Sequence, residues 1–316
     1  MDSGIPEGTL GWCCVIGRLG YYLDKLRREF RSHGTKAVFL KTMNFLVRRW
    51  LFLNFLFEAV EYHLLSKFRA LEATEIRVWR FSSVDSARVL IYAGYDPKSQ
   101  ILPHVIDQLA AFQKTGYQIV FVSTSPELIP THLAVLQEFC RIVIHRKNQG
   151  YDFCSWKMGV QKIESHLGQL ESLVLLNDSC LGPTFDLGLV IEDMIKAKGA
   201  VYGVTKSYEI EEYIQSYFFH FGMDLIRNGS VTMFFDRIRI LNSKLAIVRY
   251  LEIGSSSFFK KMGIPLEALV DPKEPRVAEI MSKLGQTDPV VDPVGRLWNE
   301  LRISPFYKRS NLVSKS

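Results

Sequence analysis

The sequence predicts an α/β fold, a mostly parallel sheet flanked by helices and preceded by a helical N-terminal extension. Three observations carry this. Short runs rich in Val, Ile and Leu recur between residues 87 and 207. Each run is followed by a segment with helical spacing of its apolar residues. Residues 1–80 have another character, rich in Phe and Leu with basic residues interleaved. Runs that are apolar at every position suit strands buried on both faces, as in parallel sheets.

Taken in order, "KAVFLKTMNFLVRRWLFLNFLFEAVEYHLLSKF" reads as a basic amphipathic helix. It suits either an anionic lipid surface or packing on a protein neighbour, since both want the same apolar stripe. "ARVLIYAG" (87–94) is a buried strand, and "QILPHVIDQLAAFQKTG" is a helix closed by Gly116. "YQIVFVSTS" (117–125) is the second strand, followed by a helix through "PTHLAVLQEF". "RIVIHRKNQG" (141–150) is the third, followed by a helical stripe of Phe153, Trp156, Val160, Ile163 and Leu167, with Trp156 in the core. "SLVLLNDS" (172–179) is the fourth strand, "DLGLVIEDMIKAKG" a helix and "AVYGVTKS" (200–207) a fifth strand. The aromatic-rich stretch beyond 208 is expected to cap the rim of the sheet, and the polar tail from Pro293 to fray. The domains expected are an arm over 1–80, an α/β domain over 81–292 and a tail over 293–316.

At 316 residues, with 47% apolar and 23% charged residues, the chain can bury a sizeable core. The net charge of +6 is lopsided: residues 1–50 hold nine Lys or Arg against four acids, so they account for +5 of it. A neutral domain with a basic arm calls for no nucleic-acid partner; an anionic membrane surface is the partner such an arm fits. The five cysteines form no CxxC and no zinc spacing, which suits reduced thiols in a cytoplasmic protein. No signal peptide is evident, and the longest apolar run, "WLFLNFLFEAV", is about half of what spans a bilayer. The expected location is therefore the cytoplasm, at the inner face of the plasma membrane.

Ligands of open α/β sheets bind beyond the carboxyl ends of the strands. Those ends carry Ala93 to Asp96, Ser123 to Ser125, Asn148 to Asp152, Asn177 to Ser179, and Thr205 to Ser207. All five are polar. No Walker loop or GxGxxG follows the first strand, so a glycine cradle for phosphate is not indicated. A divalent cation on a strand-end carboxylate is the other common grip on a diphosphate, and Asp178 suits it, with Asn177 turned to sugar hydroxyls. Asn177 and Asp178 equally suit a plain turn, Asp152 a helix cap, and Asn148-Gln149-Gly150 a tight turn.

"NQGYDFCSWKMGV", "LLNDSCLGP", "YGVTKSYE", "IQSYFFHF" and "YLEIGSSSFFKKMG" together resemble the rhamnan-synthesis protein F family, polysaccharide-assembling glycosyltransferases. The resemblance runs over roughly residues 87–270, with the motifs in the family's order. It implies a GT-A-like, Rossmann-type sheet and a nucleotide-sugar donor over the first four strand ends. Ala93, Asp96 and Ser123 would then lie near the nucleoside, with Asn148, Gly150, Tyr151 and Asp152 around ribose and diphosphate. Asn177 and Asp178 would replace the metal-binding Asp-x-Asp of GT-A enzymes, with Asp178 on Mg²⁺ or Mn²⁺. The closing carboxylate of that motif is Ser179 here, so one strong oxygen ligand remains, and His220 is a candidate supplement. Glu209 matches a family glutamate and would serve as base, with Glu212 and Glu211 as alternatives. Thr205, Ser207, Gln215, Ser216 and Tyr217 would line a groove for a polysaccharide or lipid-linked acceptor, with Tyr213 standing where the family has histidine. The implied activity is hexosyl transfer with inversion, rhamnose being the sugar the family name suggests. A catalytically silent sugar- or nucleotide-binding scaffold subunit is the alternative.

Overall fold

The computed structural model of the chain describes residues 53–54, 56–184, 186–197, 199–208, 210–283 and 306–308. Most of the expected arm, most of the expected tail and the candidate base Glu209 lie outside the described residues. The chain divides into two compact units, Met1–Val60 and Glu61–Ser316. In the first, Leu53, Leu56, Phe57 and Val60 are exposed. The second unit holds the sheet and its helices.

Its strands and helices follow the predicted alternation. In chain order they are β1 (Glu75–Arg80), β2 (Arg88–Gly94), α1 (Pro103–Lys114), β3 (Gln118–Ser123), α2 (Pro130–Gln137), β4 (Cys140–Arg146) and α3 (Tyr151–Lys162). A short α4 (Glu164–Leu167) leads to β5 (Ser172–Asn177), the two-residue β6 (Cys180–Leu181), α5 (Leu187–Lys196) and β7 (Val201–Ser207). Next come β8 (Tyr213–Ile214), β9 (Phe218–Gly222), α6 (Met223–Arg227), α7 (Ser230–Arg237) and α8 (Lys244–Ala246). A π-helix (Ile247–Ile253) runs into α9 (Gly254–Lys261), then β10 (Leu266–Val270), α10 (Pro275–Lys283) and β11 (Tyr307–Lys308).

The main sheet has the order β1-β4-β3-β2-β5-β9-β7-β10, with β8 beside β7. β4, β3, β2 and β5 are mutually parallel, and β10 is parallel to β7. Strand β9 is antiparallel to both β5 and β7, and β1 is antiparallel to β4. The sheet is therefore mixed: parallel in one half, with an antiparallel strand wedged between β5 and β7. That corrects the expectation that the aromatic stretch caps the rim. "FFHFG" is a central strand, and all five of its residues are buried.

Side chains alternate cleanly between two cores. Val89, Ile91, Leu173, Leu175, Phe219 and Phe221 face one layer, while Leu90, Tyr92, Val174, Leu176 and Phe218 face the other. The first layer is covered by α3 and α6 to α9, the second by α1, α2 and α5. Trp156 is fully buried, as expected, and donates its indole N–H to the Leu176 carbonyl at 3.1 Å. This bond locks α3 against β5 one residue before Asn177. Both ends of the predicted domain extend further than expected. β1 joins the sheet from within the segment read as arm, and Tyr307 pairs with Leu181 while Phe306 is buried in the second core.

Candidate active site

Because β2, β3, β4, β5, β7 and β10 run in one direction, their carboxyl ends share one edge. β2 and β5 are in register there, Ala93 opposite Asn177. The Asp178 amide donates to the Ala93 carbonyl at 3.2 Å, and the Asp178 carboxylate Oδ2 accepts from the Tyr95 amide at 2.9 Å. Asp178 is thereby pinned across the gap between the two strand ends. His104 Nε2 lies 3.3 Å from its carbonyl oxygen.

The second motif reaches the same place from β4. The turn after β4 puts Gly150 in the left-handed region, φ 73°, and Tyr151 follows at φ 53°. A Cβ at Gly150 would sit 2.3 Å from Cys154 Sγ, so the turn requires glycine on both backbone and packing grounds. Gly150 is the N-cap of α3, and no side chain caps that end. Asp152 is therefore not the helix cap. Its Oδ2 instead accepts from Asn177 Nδ2 at 2.8 Å. The other side of Asn177 accepts from the Ser179 amide at 3.1 Å and from the Ser179 hydroxyl. Asn177 thus clasps both segments at one point. Asn148 and Tyr151 are exposed beside it.

Arg146 was missed in the sequence, although an arginine closing an apolar strand directly ahead of the motif was the signal for it. It is fully buried, donating to Thr74 Oγ1 at 3.2 Å, Ser155 Oγ at 3.0 Å and the Gln149 carbonyl. Those bonds hold the Asn148–Gly150 turn in place. Glu252, on the π-helix, was also missed. Its Oε1 accepts from the Ser216 amide at 3.1 Å, and the Tyr217 carbonyl next door accepts from the Asn177 amide at 3.3 Å.

Electrostatics bear the marks of crowded carboxylates. Burial pushes the Asp152 carboxyl from its ordinary 3.8 up to about 7, and the negative charges of Asp178 and Glu252 push the same way. The hydrogen bond from Asn177 and the charge of Arg146 oppose them. Burial lowers Arg146, partly offset by Cys154 and Asp152. A surplus of negative charge at a strand-end rim is what a divalent cation relieves, and Mg²⁺ asks for only one or two carboxylates besides ligand oxygens and water. Asp178 with Asp152 close by fits that weak demand. Among the described residues no group of three or more His, Cys, Asp or Glu could hold a metal by itself.

Other expected site residues lie elsewhere or are already engaged. Asp96 Oδ1 accepts from the Lys98 amide at 2.8 Å and the Gln100 amide at 3.1 Å, capping its own turn. Ser123 is buried, its hydroxyl accepting from the Ser125 amide at 3.3 Å. Thr205 and Tyr217 are corrected from groove to interior: both are buried and their hydroxyls bond one another at 2.5 Å. Ser207 is likewise buried. Glu212 pairs with Lys206 at 3.2 Å, and Lys206 also pairs with Asp271 at 2.9 Å. Gln215 lies two residues before Tyr217, its buried side-chain carbonyl without a hydrogen-bond partner among the described residues. His220 is corrected too. It is buried beside Ser172, at 3.0 Å, which begins β5, whereas Asn177 ends it; a shared metal is out of reach.

The rhamnan synthesis protein F family model matches residues 119–315, well over half of the chain. The chain belongs to that family. Family membership thus covers β3 through β11, reaching further into the tail than the quoted motifs. Two curated relatives are each 28% identical to it. One is the uncharacterized protein y4gN of Sinorhizobium fredii, over 61% of this chain and 50% of its own length. The other is virulence protein VirA of Vibrio anguillarum, over 48% of this chain and 49% of its own. The chain spans about half the length of the curated relatives it matches. Among solved structures it is similar to one from Desulfovibrio desulfuricans described as a nucleotide-diphospho-sugar transferase. There the identity is 10% and the TM-score 0.38, over 63% of this chain and 97% of that one. Among the described residues no helix is long and apolar enough to cross a membrane.

Proposed function

We propose that this chain transfers a hexosyl unit, rhamnose being the first candidate, from a nucleotide-sugar donor to a polysaccharide or lipid-linked glycan acceptor during cell-surface polysaccharide assembly. The observation that carries this reading is the 2.8 Å hydrogen bond from Asn177 to Asp152, which makes one mouth of two motifs 25 residues apart. Membership of a family named for rhamnan synthesis supports the substrate class.

In this reading Asn148, Gly150 and Tyr151 border the ribose and diphosphate, and Asp152 sets the position of Asn177. Asn177 meets donor hydroxyls. Asp178 would hold Mg²⁺ or Mn²⁺ together with the diphosphate oxygens; the cation would neutralise the leaving group's charge. Displacement proceeds with inversion, so a protein carboxylate takes the acceptor's proton. The basic arm would hold the catalytic unit at the anionic inner face of the plasma membrane, near a lipid-linked acceptor.

Release of nucleoside diphosphate from a panel of UDP-, GDP- and dTDP-sugars, with and without Mn²⁺, tests the proposal. Activity in the wild type that disappears in a folded Asp178→Ala variant is the expected outcome. Equal release by the variant would remove Asp178 from the chemistry.

A further inference from the structure

We propose that Glu252 is the base that accepts the acceptor's hydroxyl proton as that hydroxyl attacks the donor sugar; this rests on the sugar-transfer reading above. Three observations converge on it.

The backbone there is unusual. Ile247–Ile253 winds as a π-helix, and the Gly254 amide closes the wide turn on the Arg249 carbonyl. A Cβ at Gly254 would come within 3.2 Å of that oxygen, which is a reason for glycine there. Wide turns of this kind recur at functional sites because they displace one side chain from the regular helical face. Leu251 and Ile253 are buried on either side, and Glu252 between them is half-buried.

The carboxylate is also aimed and held. Ser216 N–H donates to Glu252 Oε1 at 3.1 Å, and the next residue's carbonyl accepts from the Asn177 amide at 3.3 Å. A two-residue link therefore sets Glu252 across from the Asn177–Asp152 clasp. Its negative charge is felt at Asp152, along with that of Asp178. Gln215, whose buried side-chain carbonyl has no hydrogen-bond partner among the described residues, immediately precedes the link.

Finally, three other carboxylates among the described residues, Glu211, Glu212 and Asp271, are tied to lysines. Glu211 accepts from Ser257 Oγ at 2.8 Å and lies 3.7 Å from Lys260 Nζ. Glu212 and Asp271 share Lys206. Glu252 is held by the neutral Ser216 amide, which fixes its orientation and leaves Oε2 free of that bond. In the step itself the acceptor oxygen bonds to the anomeric carbon and the bond from that carbon to the diphosphate oxygen breaks. The nucleoside diphosphate leaves with the electron pair, and the hydroxyl proton passes to the Glu252 carboxylate.

Glu252→Gln keeps an oxygen for the Ser216 amide and removes the basicity; Glu252→Asp keeps the basicity and shortens the reach. The full chain and both variants are assayed for nucleoside diphosphate release from UDP-, GDP- and dTDP-sugars in Mn²⁺ buffer with water as acceptor. Thermal shift with the same donors is read in parallel. Expected are release at least about 100-fold slower in Glu252→Gln, partial recovery in Glu252→Asp, and an unchanged donor-induced thermal shift in both. Wild-type release by Glu252→Gln overturns the inference and leaves the transferase reading standing. Donor binding by the wild type without release counts against a base here. A wild type that shifts with no donor overturns the transferase reading and this inference with it.

Discussion

Replacing Asp152 by asparagine should make the protein more stable at pH 8 and leave it unchanged at pH 4. Asp152 lies in a partly buried position facing Asp178 and Glu252, which carries its carboxyl from 3.8 up to about 7. Below about pH 4 the group is protonated in both folded and unfolded chains and contributes nothing to the pH dependence. Between about 4 and 7 the unfolded chain loses the proton while the folded chain keeps it. The folded state then binds more protons, so stability falls as pH rises, and the full penalty is present above about 7. At about 1.4 kcal/mol for each tenfold change in proton affinity, the penalty is roughly 4 kcal/mol at pH 8. Asparagine retains an oxygen for Asn177 Nδ2, so the substitution removes charge and little else. Urea unfolding of wild type and variant side by side in EDTA, at half-unit steps from pH 4 to 8, reads the difference directly. A gap that grows to that size by pH 8 is expected. A gap independent of pH, or one favouring the wild type as pH rises, would refute the crowded-carboxylate account.

Burial drives His220 from 6.5 down to about 3, which has the opposite sign. The unfolded chain binds the extra proton, so the His220 contribution to stability should fall by roughly 2–4 kcal/mol between pH 6.5 and 4, and His220→Phe should gain that much on the wild type over the same window of the unfolding series. Gly150→Ala brings a Cβ within 2.3 Å of Cys154 Sγ at a left-handed backbone position. It should cost about 2–4 kcal/mol, on the order of 5–15 °C in Tm by differential scanning calorimetry; a loss under about 1 °C would mean the turn is not built as described.

The parallel half of the fold was legible because β2, β3, β4 and β5 are apolar on both faces and punctuated by helices of ordinary spacing. Their edges fell within a few residues of prediction. Strand β9 was not legible. "FFHFG" carries no alternation to distinguish a doubly buried strand from an aromatic cap, and only the pairing of Leu175 with Phe219 decides it. Local turn chemistry also misled. An acid just inside a helix start reads as a cap, yet with Gly150 as the N-cap in the left-handed region, the Asp152 carboxylate is spent on Asn177. The family resemblance puts Thr205 and Tyr217 in a groove, whereas their mutual hydrogen bond in the interior is a tertiary fact that no local pattern carries. Glu252 had a faint signal, a break in apolar spacing at Ile247, Leu251 and Ile253 that a regular helix does not give.

The proposal stands on Asn177 and Asp178 gripping a diphosphate with the Asn148–Asp152 turn, and donor-induced thermal stabilisation probes that grip most directly. With Mn²⁺ present and a nucleoside diphosphate at about a hundred times its Kd, the wild type should gain about 2.7 kcal/mol, and Asp178→Ala should lose most of that gain. Identical melting of the wild type with and without UDP, GDP and dTDP would contradict the account.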